Sequence, residues 1–262
     1  MCKYQEEIND AILRQIAKNP PGEEKHVLDV GCGMGALSEE IRKKGYAVWG
    51  VELDGAAAAV AEARITKVLR ADAADLGAIG RGVGSQRFDY LVFADILEHL
   101  PDPVAVLRDY RIFLKPGGCV LVSLPNTVVW LNRIQFLFGK FEYTDTGVMD
   151  RDHLRFFTFK TARRLVEDAG YLVVRTDYIP FFVRAAEPLI KKFFMRGLNE
   201  PDADKRQLLS SPYYAWYIKY LYPLEYVAGY LCQGLCAYKM VIVGTCTTDQ
   251  RVTAMKCAKA IG

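Results

Sequence analysis

From residue 26 onward, short apolar runs alternate with stretches of helical periodicity. "HVLDV" reads as a strand that breaks into "GCGMG". "ALSEEIRKKG" reads as a helix closed by Gly45, with basic residues at the end where they suit the helix dipole. "YAVWGVELD" predicts a second strand, and the alanine-rich run 55–63 a second helix, because alanine has the best helix propensity. "ITKVLRADA" predicts a third strand, the glycine-rich stretch 77–87 a loop, and "FDYLVFADI" a fourth strand apolar enough to be buried on both faces. "DPVAVLRDYRIFLKPGG" predicts a helix running to a Pro-Gly-Gly turn, and "CVLVSLPN" a fifth strand. The alternation lapses over 126–157 and resumes with a helix over 159–169 and the strand "YLVVRTDYI". It lapses again until the last strand, "AYKMVIVGT".

Strands alternating with helices imply a mostly parallel, doubly wound α/β sheet of Rossmann-like type, covered on both faces. Ahead of it, Ile8, Ile12 and Ile16 recur every four residues and predict an amphipathic helix within 1–22. The domain then comprises 23–179 and 237–247, with an insertion over 180–236 and a tail over 248–262. No internal repeat breaks this plan.

Composition narrows the function classes. A chain of 262 residues with 51% hydrophobic and 25% charged content is that of an ordinary soluble domain. Its net charge of +3 is small and scattered, which leaves no footprint for nucleic acid. The N-terminus lacks the apolar run of a signal peptide. The seven cysteines are then expected as reduced thiols of a cytoplasmic protein. Cys232 and Cys236 lie a helical turn apart with no histidine near them in sequence, so they read as packed thiols and no metal site is expected.

The chemistry centres on "LDVGCGMGALSEE". A strand that enters glycines and then a helix lets backbone approach a ligand closely. Gly31, Gly33 and Ala36 also fit a dinucleotide fingerprint, with Glu52 at the expected distance. Three features favour another ligand. Asp29 ends a buried strand beside the glycines, where a carboxylate repels pyrophosphate and attracts a cation. Glu52 ends the next strand and can accept from two ribose hydroxyls. "ADA" and "EHL" place polar residues at further carboxyl ends of the sheet, where open α/β sheets bind ligands.

"VLDVGCGMG", "VELD", "ADAADL", "FDYLVFADILEHLPDP" and "LKPGGCVLVSLPN" together resemble the successive motifs of class I S-adenosylmethionine-dependent methyltransferases. The similarity is to the ubiquinone-O-methyltransferase-like branch, and "DRDHLRFFTF" and "AYKMVIVG" extend it towards bacterial members associated with cell-surface polysaccharide genes. The resemblance implies a seven-stranded sheet whose last strand is antiparallel, with S-adenosylmethionine as cofactor and S-adenosylhomocysteine as product. It implies that Gly31, Gly33 and Gly35 line the methionine and ribose, and that Asp29 lies near the amino group. Glu52 would hold the ribose and Leu53 the adenine face, with Asp72 and Ala73 at the adenine edge. Ala94 and Asp95 would border the reacting methyl.

A sulfonium methyl is already activated, so alignment of the acceptor is the main demand, and a general base is needed only for a hydroxyl that is not yet ionised. His99 in "EHL" is either such a base or a scaffold for its turn. His153 in "DRDHLRFFTF" is either a base oriented by neighbouring carboxylates or part of a clasp ahead of a helix capped by Thr158. His26, at the opposite end of strand one, is structural. Tyr143, Asp152 and Arg155 are expected in the acceptor pocket. The insertion crowds Tyr213, Tyr214, Trp216, Tyr217, Tyr220, Tyr222, Tyr226 and Tyr230 together, with Ser211-Pro212 as a helix start and Pro223 as the start of a second helix or a kink in the first. Three roles are open to it: an acceptor lid, a homo-oligomer interface, or peripheral membrane contact through 208–238.

The expected function is O-methylation of a small molecule or glycan intermediate. The alternatives are N- or C-methylation, or a catalytically silent cofactor-binding protein.

Overall fold

The computed structural model describes residues 8–20, 22–180, 219–220 and 222–246. α1 (Asp10–Gln15), β1 (His26–Val30), α2 (Ala36–Lys43), β2 (Ala47–Glu52), α3 (Gly55–Glu62) and β3 (Lys67–Arg70) come first. α4 (Leu76–Val83), β4 (Phe88–Ala94), α5 (Pro103–Asp109) and β5 (Leu114–Pro125) continue the alternation. α6 (Trp130–Leu137), α7 (Phe159–Asp168), β6 (Leu172–Pro180), α8 (Tyr222–Leu231), α9 (Gln233–Cys236) and β7 (Ala237–Thr245) complete it.

The seven strands form one sheet in the order β3-β2-β1-β4-β5-β7-β6. β1 pairs in parallel with both β2 and β4, while β7 runs antiparallel between β5 and β6. The expected doubly wound sheet with an antiparallel last strand is therefore present. Strand order reverses between β1 and β4, and the crevice at that switch lies outside the strands' carboxyl ends. Alternation along the central strands explains the two covered faces. Leu28, Val30, Leu91 and Phe93 enter one apolar cluster, and Val27, Tyr90 and Val92 the other.

α1 covers part of the second cluster with Ala11, Ile12 and Ile16. Ile8 is exposed, so the expected stripe begins one turn later. The helix is anchored by a buried acid on β6. Asp177 accepts from Arg14 at 3.1 Å, from Gln15 at 2.7 Å and from the Tyr226 hydroxyl at 3.0 Å.

Several expectations need correction. Residues 76–83 of the supposed glycine-rich loop are α4, capped by the Asp75 side chain and held by the buried Ile79 and Val83 one turn apart. Tertiary burial outweighs the poor helix propensity of its glycines. α5 ends at Asp109 and a 3-10 turn follows, and Pro116-Gly117-Gly118 lies within the irregular start of β5. The 126–157 stretch contains α6, which shows no core-facing stripe: Ile134 and Leu137 are exposed and Asn132 is its buried residue.

Of the cysteines, Cys32, Cys232, Cys236 and Cys246 are free thiols. Cys119 is disulfide-bonded, which departs from the all-reduced expectation. Residues 181–218 of the aromatic insertion, including Ser211-Pro212 and the Tyr213–Tyr217 cluster, and the tail from 247 lie outside the described residues. Pro223 sits in the first turn of α8, consistent with a helix start there. Among the described residues, no helix is long and apolar enough to cross a membrane.

Candidate active site

One cavity of about 990 Å³ opens over the carboxyl ends of β1, β2, β3 and β4. The glycine loop after β1 forms its floor. Gly31 has φ +75°, and a Cβ there would come within 2.8 Å of Ile96, so only glycine lets the loop lie this close to the β4 exit. Asp29 is buried, with Oδ2 accepting from the Ser38 hydroxyl at 2.5 Å and Oδ1 without a hydrogen-bond partner. Burial pushes its carboxyl up to about 6, opposed by the Ser38 bond and aided by the charge of Glu52. An unsatisfied buried acid lining a cavity suits a cationic group.

Glu52 is also buried, and its two oxygens accept from the amides of Gly33 at 2.9 Å and Asp54 at 2.8 Å. These two main-chain bonds fix the orientation of the carboxylate at the cavity. Leu53 is exposed and lines the cavity, and Asp72 and Ala73 stand beyond it after β3. Cys32 lines the same floor as a thiol that burial pushes well above its ordinary range, which makes it inert.

The β4 exit is strained. Asp95 has φ +54°, the one non-glycine with positive φ among the described residues. The Ser123 hydroxyl donates to its Oδ1 at 2.9 Å and the Lys239 ammonium to its Oδ2 at 2.8 Å. Asn9, ahead of α1, donates in turn to Ser123 at 2.8 Å. Strain held by such a network is what a site residue displays.

"DRDHLRFFTF" returns over this exit. The main-chain carbonyl of Glu98 accepts from the amides of Leu154 at 2.9 Å and Arg155 at 3.1 Å, which ties the segment to the "EHL" turn. His99 and His153 meet edge to face with ring centroids 4.8 Å apart. Burial and the neighbouring His99 push the His153 imidazole down. Burial and the charge of Asp95 push the Glu98 carboxyl well up. Glu98, His99 and His153 each bring a ligand-type atom within 4.8 Å of the others, a grouping that sequence spacing did not suggest.

Most of the expected residues meet here: Asp29, Gly31, Gly33, Glu52, Leu53, Asp72, Ala73, Ala94, Asp95, His99, Asp152 and His153 all line the cavity. Gly35, Tyr143 and Arg155 do not. Gly35 is the N-cap of α2 with φ +82°, packed against Ala61. Tyr143 is exposed and packs on Phe141, and the Arg155 guanidinium donates to the Pro101 carbonyl. Sequence reading missed Glu98, Lys239 and Asn9 as cavity residues. Glu98 had its signal in the "EHL" turn, whereas Lys239 and Asn9 arrive from distant strand and helix ends.

A family profile described as a methyltransferase domain matches residues 3–176. The chain belongs to this methyltransferase family. Among its relatives, the ubiquinone biosynthesis O-methyltransferase of Coxiella burnetii is 34% identical over 122 residues, 45% of this chain and 51% of the relative. The enzyme of that name from Ralstonia nicotianae is 37% identical over 121 residues, 45% of this chain and 50% of the relative. The chain thus spans about half the length of the curated relatives it matches. Solved methyltransferases share the fold. A SAM-dependent methyltransferase from Archaeoglobus fulgidus superposes with a TM-score of 0.52 at 17% identity, covering 84% of this chain and 86% of that one. Phosphoethanolamine N-methyltransferase 2 of Haemonchus contortus gives 0.51 at 17% identity, covering 91% of this chain and 52% of its own. The resemblance to class I methyltransferases is borne out by fold and family. The glycine loop, Asp29 and Glu52 lie in the cavity at the switch point between β1 and β4.

Proposed function

We propose that this chain is an S-adenosylmethionine-dependent methyltransferase that methylates an oxygen of a small-molecule acceptor. The observation that carries the reading is one continuous cavity. It joins the acids at successive strand ends, Asp29, Glu52 and Asp72, to the Glu98–His99–His153 group. The first set suits an amino group, a ribose and an adenine, with Gly31, Gly33, Leu53, Ala73, Ala94 and Asp95 completing the enclosure. The unsatisfied Asp29 oxygen fits a cationic ligand lying on the loop. When bound, the cofactor supplies a methyl group already activated as a sulfonium.

The chain's own residues have two tasks. Closing segment 145–153 over the β4 exit aligns an acceptor and excludes water, an effect of about 7–11 kcal/mol in well-oriented reactions. The histidine and glutamate group holds a proton, worth about 10²–10⁴-fold in rate for a hydroxyl acceptor. The relatives named as O-methyltransferases support oxygen as the acceptor atom. A phenol or catechol is accordingly the first class to test, and a glycan hydroxyl the second.

The reading is tested by titrating S-adenosylhomocysteine calorimetrically into wild type and Glu52→Ala, then screening methyl transfer to catechols and sugar intermediates. A loss of affinity of tenfold or more in the folded variant is expected. Unchanged affinity removes the assigned cofactor site. Binding without turnover on any acceptor favours a silent cofactor-binding protein.

A further inference from the structure

Two hydrogen-bond acceptors, Glu98 and His153, face one another on one wall of the cavity beside His99. Glu98 is 1% exposed, and its Oε2 is buried without a hydrogen-bond partner. Its Oε1 lies 3.9 Å from His153 Nε2. His153 Nδ1 sits 3.3 Å from the Val148 carbonyl, and His99 Nδ1 sits 3.1 Å from the Asp152 carbonyl. A carbonyl carries no hydrogen, so both Nδ1 atoms must be the protonated ones. Each neutral ring then keeps a bare lone pair on Nε2.

A buried carboxylate beside bare imidazole lone pairs is unfavourable, since an unpaired acceptor away from water loses its solvation without compensation. One proton added at His153 Nε2 turns the repulsion across that 3.9 Å gap into an attraction between opposite charges. The surroundings act on both groups. Asp95 at the end of β4 and Asp150 on the returning segment favour proton uptake, while Lys239 on β7 opposes it at Glu98 and His99 opposes it at His153. Burial raises the proton affinity of the carboxyl and lowers that of the ring, so the two approach one another, as a shared proton requires.

We propose that Glu98 and His153 work as one base: His153 Nε2 takes the acceptor's proton, and the resulting imidazolium is held by the Glu98 carboxylate beside it, so that the pair carries a single shared proton. The proposal rests on the methyltransferase reading. In the step it serves, the acceptor's O–H bond breaks and its proton passes to the pair. An oxygen electron pair forms the bond to the methyl carbon, and the C–S bonding pair stays on sulfur, leaving a neutral thioether.

The chain has only three histidines, so each ring can be followed separately in long-range proton–nitrogen NMR spectra. The titration is run on the protein without cofactor and again with S-adenosylhomocysteine. In wild type, His153 is expected to keep its proton on Nδ1 and to gain the second at Nε2 in one step. In Glu98→Gln that step should fall by about one pH unit or more, because the anionic partner is gone. A His153 midpoint unchanged in Glu98→Gln overturns the proposal. If that variant does not fold, Glu98→Asp, which withdraws the carboxylate by one methylene, is read by the same criterion. Equimolar zinc added to wild type is the second arm. Tight binding that shifts both His99 and His153 Nε2 would make the vacancy a metal site and overturn the shared proton. Failure of S-adenosylhomocysteine to bind removes the proposed function while the cofactor-free titration still reads the pair.

Discussion

The rings of His99 and His153 lie edge to face, 4.8 Å between centroids, although they stand 54 positions apart in the chain. The contact joins the turn after β4 to the segment that returns over it. His153→Ala is expected to lower turnover of a hydroxyl acceptor by about 10²–10⁴-fold. Its affinity for S-adenosylhomocysteine should stay near that of wild type. Steady-state rates and calorimetry check both, and equal losses in the two would assign His153 to the clasp instead.

Asp29 predicts a pH dependence with a definite sign. Its folded-state carboxyl is raised from 3.8 to about 6, so between those values the folded protein binds the extra proton. Stability without ligand should therefore fall as pH rises through that window, by roughly 3 kcal/mol at most. Urea unfolding at a series of pH values reads the slope, and Asp29→Asn should remove it. Affinity for a cationic cofactor should move the opposite way, rising as pH climbs through about 6, because the ionised acid attracts the cation. A flat affinity profile would separate Asp29 from the ligand.

Thr158 forms a reciprocal cap with Thr161. The Thr161 amide donates to the Thr158 hydroxyl at 3.2 Å, and the Thr158 amide to the Thr161 hydroxyl at 2.9 Å. Thr158→Ala should cost about 1 kcal/mol of stability. Denaturation measures the loss, and cofactor affinity should not change.

Asp177 anchors α1 through Arg14 and Gln15, and also accepts from Tyr226 on α8. Hydrogen bonds to a charged group are worth about 1.5–3 kcal/mol each. Asp177→Ala, which removes the shared acceptor, should destabilise the fold by about 2 kcal/mol or more. Because Asn9 reaches Ser123 and hence Asp95 from the start of the same helix, proteolysis near residue 9 should accelerate in this variant. Unchanged proteolysis would mean that α1 is held by its apolar packing and its other hydrogen bonds without Asp177.

The strand-and-helix alternation, the glycine loop, and Asp29 and Glu52 as strand-ending acids were legible in the chain, because each is a local pattern. Strand burial, turn geometry and caps are set by residues within a few positions of one another. α4 and α6 were not legible. The first is glycine-rich and held by buried Ile79 and Val83, and the second presents its apolar side chains to the exterior. In α4 the Ile79–Val83 spacing is masked by three glycines, and α6 writes no core-facing period at all.

The acceptor side of the cavity was decided only by tertiary structure. Lys239 reaches Asp95 because β7 inserts antiparallel between β5 and β6, and Glu98 meets His153 because residues 154 and 155 bond to its carbonyl. Sequence by itself determined which chemical groups this protein possesses and the edge of the sheet on which they gather. Folding decided which of them touch, since contacts between distant segments depend on strand order and loop return, and neither is encoded by any one stretch of residues.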